Sequence, residues 1–365
     1  MSAGAPTPRD NPDLYGHDAA IATLERALAS GRLAHGWLLS GPPGIGKATL
    51  AFRFARALLA GTGAVESRLR VAPDHPVFRQ VAQGSHPDLR VLEAEADPRT
   101  GRMRSEITVD IVRAATASLR MTAAADGPRV AVIDGAEILN RSAANALLKT
   151  LEEPPPRAVL LLVSHRPGAL PATIRSRCAK LRLQPLENAT IERALASLLP
   201  DLDDQERTAL TLLARGSIGR ALAMAEGGQL ASYRRLAGGL AAAHDPGALD
   251  ELSSEFARLA ERSGTAGALA LIQELLGRVI AAGAGRLGPN VFDGEAETLR
   301  KLAAGRPLDR WARLWEKVAH LAAATDGLNL DRGHAFMHML TLLAPESERA
   351  EGVDAGAFGA NHVRG

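Results

Sequence analysis

Cysteine is nearly absent from this chain: Cys178 is the only one in 365 residues. That excludes an intrachain disulfide and any zinc cluster built on cysteine, so no zinc is expected. Aromatic residues make up only 3% of the sequence, which leaves Leu, Val and Ala to fill the cores. An excess of one charge is missing too, with 43 Lys and Arg against 41 Asp and Glu. A protein that grips nucleic acid along its phosphates carries a basic excess, and no such footprint exists at the level of the whole chain. No apolar run approaches the roughly 18 residues a membrane-spanning helix needs. The first thirty residues hold Asp10, Asp13 and Asp18 and lack the apolar stretch of a secretory signal. The expectation is a cytoplasmic protein without a membrane partner, working mostly with other proteins.

What the sequence does contain is an alternation of strand and helix signals. Trp37-Leu38-Leu39-Ser40 is a short apolar run that ends at Gly41-Pro42-Pro43-Gly44-Ile45-Gly46-Lys47-Ala48-Thr49. Beyond Lys47, Leu50, Phe54 and Leu58, with Ala51 and Ala55, fall on one face of a helix. Strand, glycine loop and helix form the setting in which the pattern G-x-x-x-x-G-K cradles phosphate. Unhindered N–H groups converge on the anion and the helix N-terminus adds partial positive charge. Gly41, Gly44 and Gly46 would shape that loop, and Lys47 would meet the β/γ oxygens of ATP. The next position should carry the hydroxyl that holds Mg²⁺; here it is Ala48, followed by Thr49. The pattern therefore reads as a nucleotide loop by ancestry, with present occupancy by ATP left open.

Val130-Ala131-Val132-Ile133 is a second apolar run, closed by Asp134, and Val159 to Val163 is a third, followed by Ser164 and His165. Continuous apolar runs suit parallel strands buried on both faces. Between them, residues 141–152 read as a helix, capped by Asn140 or Ser142 and stopped by Pro154-Pro155-Pro156. Residues 12–184 are thus expected to form an α/β nucleotide-loop domain with a parallel sheet. Residues 185–228 read as a small helical lid and 229–345 as an all-helical domain. In the latter, Ile272, Leu275, Leu276, Val279 and Ile280 form one apolar stripe, Leu308, Trp311, Leu314, Trp315, Val318 and Leu321 a second, and Phe336, Met339, Leu340 and Leu343 a third. Such stripes are expected in the core. Residues 1–11 and 346–365 are expected to be disordered tails, and residues 61–105 an irregular excursion from the α/β domain.

Two segments carry a more specific signal. Ser142-Ala143-Ala144-Asn145-Ala146-Leu147-Leu148-Lys149-Thr150-Leu151-Glu152-Glu153-Pro154-Pro155 resembles a signature of bacterial clamp-loader subunits with the AAA+ ATPase fold. Leu170-Pro171-Ala172-Thr173-Ile174-Arg175-Ser176-Arg177-Cys178 resembles another, ending in that family's Ser-Arg-Cys motif. Residues 31–39, His86-Pro87-Asp88-Leu89 and Val109-Asp110-Ile111-Val112-Arg113 are similar to the family as well. The resemblance covers about residues 12–226 strongly and the helical C-terminal third weakly.

The resemblance implies an AAA+ P-loop domain, a helical lid and a helical collar for oligomerisation. It further implies a place among gamma/tau motor subunits and a delta subunit, acting on a sliding clamp and primed DNA. In such ATPases Asp134 would help hold Mg²⁺, and the next residue would be a glutamate that orients the attacking water; here it is Gly135. Glu137, on the turn beyond, is expected to point elsewhere. Ser164 or His165 would sense the phosphate, with His165 the more structural of the two. Arg220 stands one place later than the lid arginine of the motor subunits. Lacking the Ala48 hydroxyl and the Gly135 carboxylate, the chain is expected to have no ATPase activity of its own. It resembles the delta-prime kind of subunit rather than the motor kind, and Gly327 to Arg332 match that kind too. The family's four-cysteine zinc module has no counterpart around residues 61–85. By the same resemblance Arg177 is an arginine finger acting in trans on a neighbour's nucleotide, with Arg175 a possible mimic; Cys178 is a small buried residue. The alternatives are an ATP-hydrolysing gamma/tau-like motor, with Thr49 and Glu137 as substitutes, or a switch that binds ATP without hydrolysing it.

Overall fold

The computed structural model describes residues 6–94, 104, 106–121, 127–242, 246–324, 339–340 and 342–343. They divide into two units, one running to Leu222 and the other from Ala223.

The first unit is built on five parallel strands: β1 (Gly36–Ser40), β2 (Leu89–Leu92), β3 (Arg129–Asp134), β4 (Ala158–Ser164) and β5 (Ala179–Arg182), in the order β2-β3-β4-β1-β5. Every residue of the central β4 is buried, as its unbroken apolar run requires. On one face lie α1 (Asp18–Ala29), α2 (Lys47–Ala60) and α3 (Pro76–Ala82), packed on Trp37, Leu39, Val130, Val132, Leu161 and Val163. The alternate residues Leu38, Ala131, Ile133, Leu160 and Leu162 face α4 (Val109–Arg120), α5 (Arg141–Glu152) and α6 (Ala172–Arg177). Helices on both faces of a parallel sheet are the expected α/β class. Register aligns Ser40 with Ser164 and Asp134 with Val163. The glycine loop, Asp134 and the end of β4 therefore meet at one carboxyl edge, where open α/β sheets place their ligands.

Of the stretch 61–105, residues 95–103 and 105 lie outside the described residues, and the described part is more regular than its composition suggests. It contains α3 and the edge strand β2, whose four residues are fully buried only at the two ends, too short a run to stand out. Side-chain contacts hold the described part of the segment. The Arg68 N–H donates to Glu25 at 2.7 Å, and its guanidinium to the Gly16 carbonyl at 3.1 Å and to Asp18. Leu69 and Val71 are buried beside it.

Residues 6–11, read from sequence as part of a tail, are strapped in place. Arg56 is 1% exposed and donates to the carbonyls of Arg9 and Asn11 at 3.1 and 2.9 Å, over the ring of Phe78. Arg53 donates to the Pro12 carbonyl at 2.8 Å. Burial pulls the Arg56 pKa down to about 10, and each Nη has a carbonyl partner. Residues 1–5 lie outside the described residues.

After the sheet come α7 (Asn188–Leu198), α8 (Asp204–Ala214) and α9 (Ile218–Glu226), the last crossing the division between the units. The second unit is helical among its described residues: α10 (Gln229–Ala242), α11 (Pro246–Gly283, broken at Gly264 with φ +77°), α12 (Glu295–Ala304) and α13 (Leu308–Ala324). A carboxylate lies at its centre. Glu295, fully buried, accepts from Tyr233 at 2.6 Å, from the Val291 N–H at 2.6 Å and from Arg278 at 2.7 and 2.8 Å. Of the apolar stripes, Ile272, Leu275, Leu276 and Val279 are buried, as are Trp311, Val318, Met339, Leu340 and Leu343. Leu308 and Trp315 are instead 37% exposed, because they sit to the side of the Trp311–Val318 face. Phe336, the 327–332 segment and the 346–365 tail fall outside the described residues. Among those described, no helix is long and apolar enough to cross a membrane.

Candidate functional site

The glycine loop is held by contacts to its carbonyls. Lys47 Nζ donates to the Pro42 carbonyl at 2.5 Å and Ser217 Oγ to that of Pro43 at 3.1 Å. The Gly219 N–H donates to the Gly44 carbonyl at 2.9 Å and His17 Nε2 to that of Ile45 at 2.6 Å. With those carbonyls occupied, the loop N–H groups remain as partners for an anion. Glycine is required twice over here. At Gly44, φ is +71° and a Cβ would lie 2.4 Å from Ser217 Oγ; at Gly41, a Cβ would lie 2.5 Å from the Leu183 carbonyl.

Beside the loop is a cavity of about 320 Å³, lined by Gly44, Gly46, Lys47, Ala48, Thr49 and Asp134 among others. Leu14, Tyr15 and the strapped Pro8 and Asn11 form one side, and Leu198, Ile218 and Leu222 supply apolar surface on another. Of the residues expected at a nucleotide, Gly41 and Ser164 are not in the wall. Ser164 is fully buried, and the cavity is lined at this point by its neighbour His165. Arg220 is not in the wall either; Ile218 and Gly219 are. A side chain at 219 would bring a Cβ within 3.0 Å of Gly44 Cα, so lid and loop meet backbone to backbone.

The charges fit an anion site of reduced strength. Lys47 is 3% exposed, and burial lowers its pKa to about 8 against the opposing pull of Glu137 and Asp134. Burial raises the pKa of Asp134. His165 is lowered, first by burial and then by Lys47.

Glu137, expected to point elsewhere, is absent from the cavity wall but is buried close behind it. Its side chain is 5% exposed, its carboxylate accepts the His165 N–H at 3.0 Å, and it is the leading carboxylate acting on Lys47. The cause is Gly135. With φ +79° and ψ 48° it bends the chain out of β3 into a single 3₁₀ turn (Ala136–Ile138), which carries Glu137. A glutamate placed at 135 would need left-handed backbone, at a cost of roughly 1–2 kcal/mol.

Arg177 ends α6 and is exposed at the surface. Its Nη2 pairs with Glu152 Oε1 at 2.7 Å and its Nη1 donates to the Thr173 carbonyl at 3.1 Å. Arg175 is turned back, donating to the carbonyls of Pro167 and Gly168 at 3.2 Å. Cys178 is 7% exposed, and burial pushes its thiol up to about 11, as expected of a packed and unreactive cysteine.

Residues 16–187 match the family model described as DNA polymerase III, delta subunit. The match falls on the α/β segment of this chain. The chain is 40% identical over 185 residues to the DNA polymerase III subunit delta' of Pseudomonas aeruginosa, covering 50% of this chain and 53% of the relative. It is 37% identical over 150 residues to subunit delta' of Yersinia pestis, covering 41% and 42%. Subunit tau of Escherichia coli is 34% identical over 213 residues, covering 58% of this chain and 31% of the relative. The match thus spans about half or less of the length of these relatives.

Proposed function

We propose that the chain is a delta-prime-like subunit of a replicative clamp loader, cytoplasmic and assembled with gamma/tau-like motors and a delta subunit. Through that complex it serves the loading of a sliding clamp onto primed DNA. Its own part is that of a largely non-hydrolysing scaffold that offers Arg177 in trans to the ATP of a neighbour. The contrast within the first unit carries this reading: a formed loop has Ala48 and Gly135 at the two positions chemistry needs, while a guanidinium is presented at the surface in the Ser-Arg-Cys segment. Guanidinium is permanently charged and forks onto phosphate oxygens as negative charge redistributes. The test is reconstitution. Loading onto primed DNA by motor and delta subunits should be lost when this chain is omitted and restored when it is added; loading indifferent to the chain would sink the proposal.

A second reading has one observation in its favour. The lid residues Ser217 and Gly219 hydrogen-bond directly to the loop, which suits an ATP-binding switch that signals occupancy without hydrolysis. ATP that tightens or loosens assembly of the chain with its partners would favour it over a passive scaffold.

A further inference from the structure

We propose that Glu152 is the positioning residue for Arg177, and that the pair, not the arginine alone, is what this chain presents to a neighbour. The inference rests on the reading of Arg177 as a trans finger and adds to it how that finger is aimed.

The geometry is specific. Glu152 is the last residue of α5 and Arg177 the last of α6. Both helices are fixed in one core, α5 through Ala143, Ala144, Leu147 and Leu151, α6 through Ile174, with Cys178 buried directly after it. Two rigid supports therefore meet at one guanidinium. The Glu152 carboxylate takes Nη2 and the Thr173 carbonyl takes Nη1. The Thr173 contact uses one of the five N–H donors of the group and Glu152 adds an ion pair, so donors remain for a phosphate.

An unrestrained arginine loses much rotamer freedom when a phosphate fixes it. Held beforehand, Arg177 loses less, and the saving appears in the transition state, where the finger contact is strongest. The pair is also able to exchange. The two side chains are 37% and 42% exposed, and ion pairs so open to solvent are weak. A neighbour's triphosphate can then draw the guanidinium forward without a large opposing cost.

The experiment uses the assembled complex of motor subunits, delta subunit, clamp and primed DNA, with wild-type chain, Arg177→Ala, Glu152→Ala, Glu152→Gln or the double variant Glu152→Ala/Arg177→Ala. ATP turnover is measured against ATP concentration, with assembly followed by size-exclusion chromatography. Glu152→Ala should lower kcat about three- to tenfold, the scale of immobilising one flexible side chain, with KM and assembly unchanged. Glu152→Gln keeps an acceptor oxygen in place and should recover most of the loss. The double variant should match Arg177→Ala alone. Glu152→Ala that leaves kcat unchanged or raises it, while Arg177→Ala slows the complex, overturns the inference and spares the finger. So does a double variant slower than Arg177→Ala. If Arg177→Ala itself has no effect, the finger reading falls and this one with it.

Discussion

The phosphate loop and the Arg177 edge lie in the same unit and, on the proposed reading, hold opposite halves of a catalytic site. At the loop the backbone is intact: the glycines, the engaged carbonyls and the buried Lys47 are all in place. What is missing are the side chains that act on phosphate, with Ala48 and Gly135 in their positions. At the other edge there is no loop, only a guanidinium held by Glu152 and Thr173. The loop geometry also closes the fold, since the Gly219 N–H donates to the Gly44 carbonyl at 2.9 Å.

The largest effect should come from removing the fork at the Arg177 edge while keeping its charge. In the assembled complex, Arg177→Lys should still lower turnover at the site it serves by about tenfold or more, measured as steady-state ATP hydrolysis. A lysine that works as well would show that charge alone matters there.

At the loop, pH should set affinity. Lys47 titrates at about 8, and a bound phosphate holds its proton more tightly. Below that pH the affinity for ATP should be flat. Above it binding must take up a proton, and affinity should fall by up to about tenfold per pH unit, read by calorimetric titration. Affinity independent of pH from 7 to 9.5 would mean that Lys47 does not meet the phosphates. The same shift has the opposite sign for folding. A lysine pKa lowered in the folded state costs stability below about pH 8, and stability recovers as pH rises toward the unfolded value of 10.5.

A smaller effect is expected from Ala48→Thr, which returns the missing hydroxyl. ATP affinity should then depend on Mg²⁺ by about a few-fold, while the isolated chain stays without turnover because Gly135 still bends the backbone. Turnover in this variant would move the defect from the turn to the single hydroxyl. The smallest effect concerns Cys178: the folded protein should react with a thiol reagent far more slowly than the unfolded chain, since its thiol is buried and protonated at neutral pH. Equal rates would place it at an open surface.

Much of this was legible in the sequence where one local rule decides the outcome. Glycine spacing before a helical stripe marked β1, the loop and α2. Asn140 does cap α5, accepting the Ala143 N–H at 2.9 Å, and the prolines after Glu153 end it. Glu137 was not legible, because its direction depends on the left-handed Gly135 and not on its own place in the motif. Nor were Arg53 and Arg56, whose burial depends on carbonyls more than forty residues away. The edge strand β2 was lost for a different reason: four residues, with Arg90 and Val91 half-buried between Leu89 and Leu92, carry too little pattern.

The most direct test of the central claim is ATP turnover by the isolated chain beside turnover by the assembled complex carrying Arg177→Ala. The account predicts that the chain alone hydrolyses nothing, and that Arg177→Ala depresses the assembled rate with assembly intact. Turnover by the chain alone, or an assembled rate indifferent to Arg177→Ala, would contradict it.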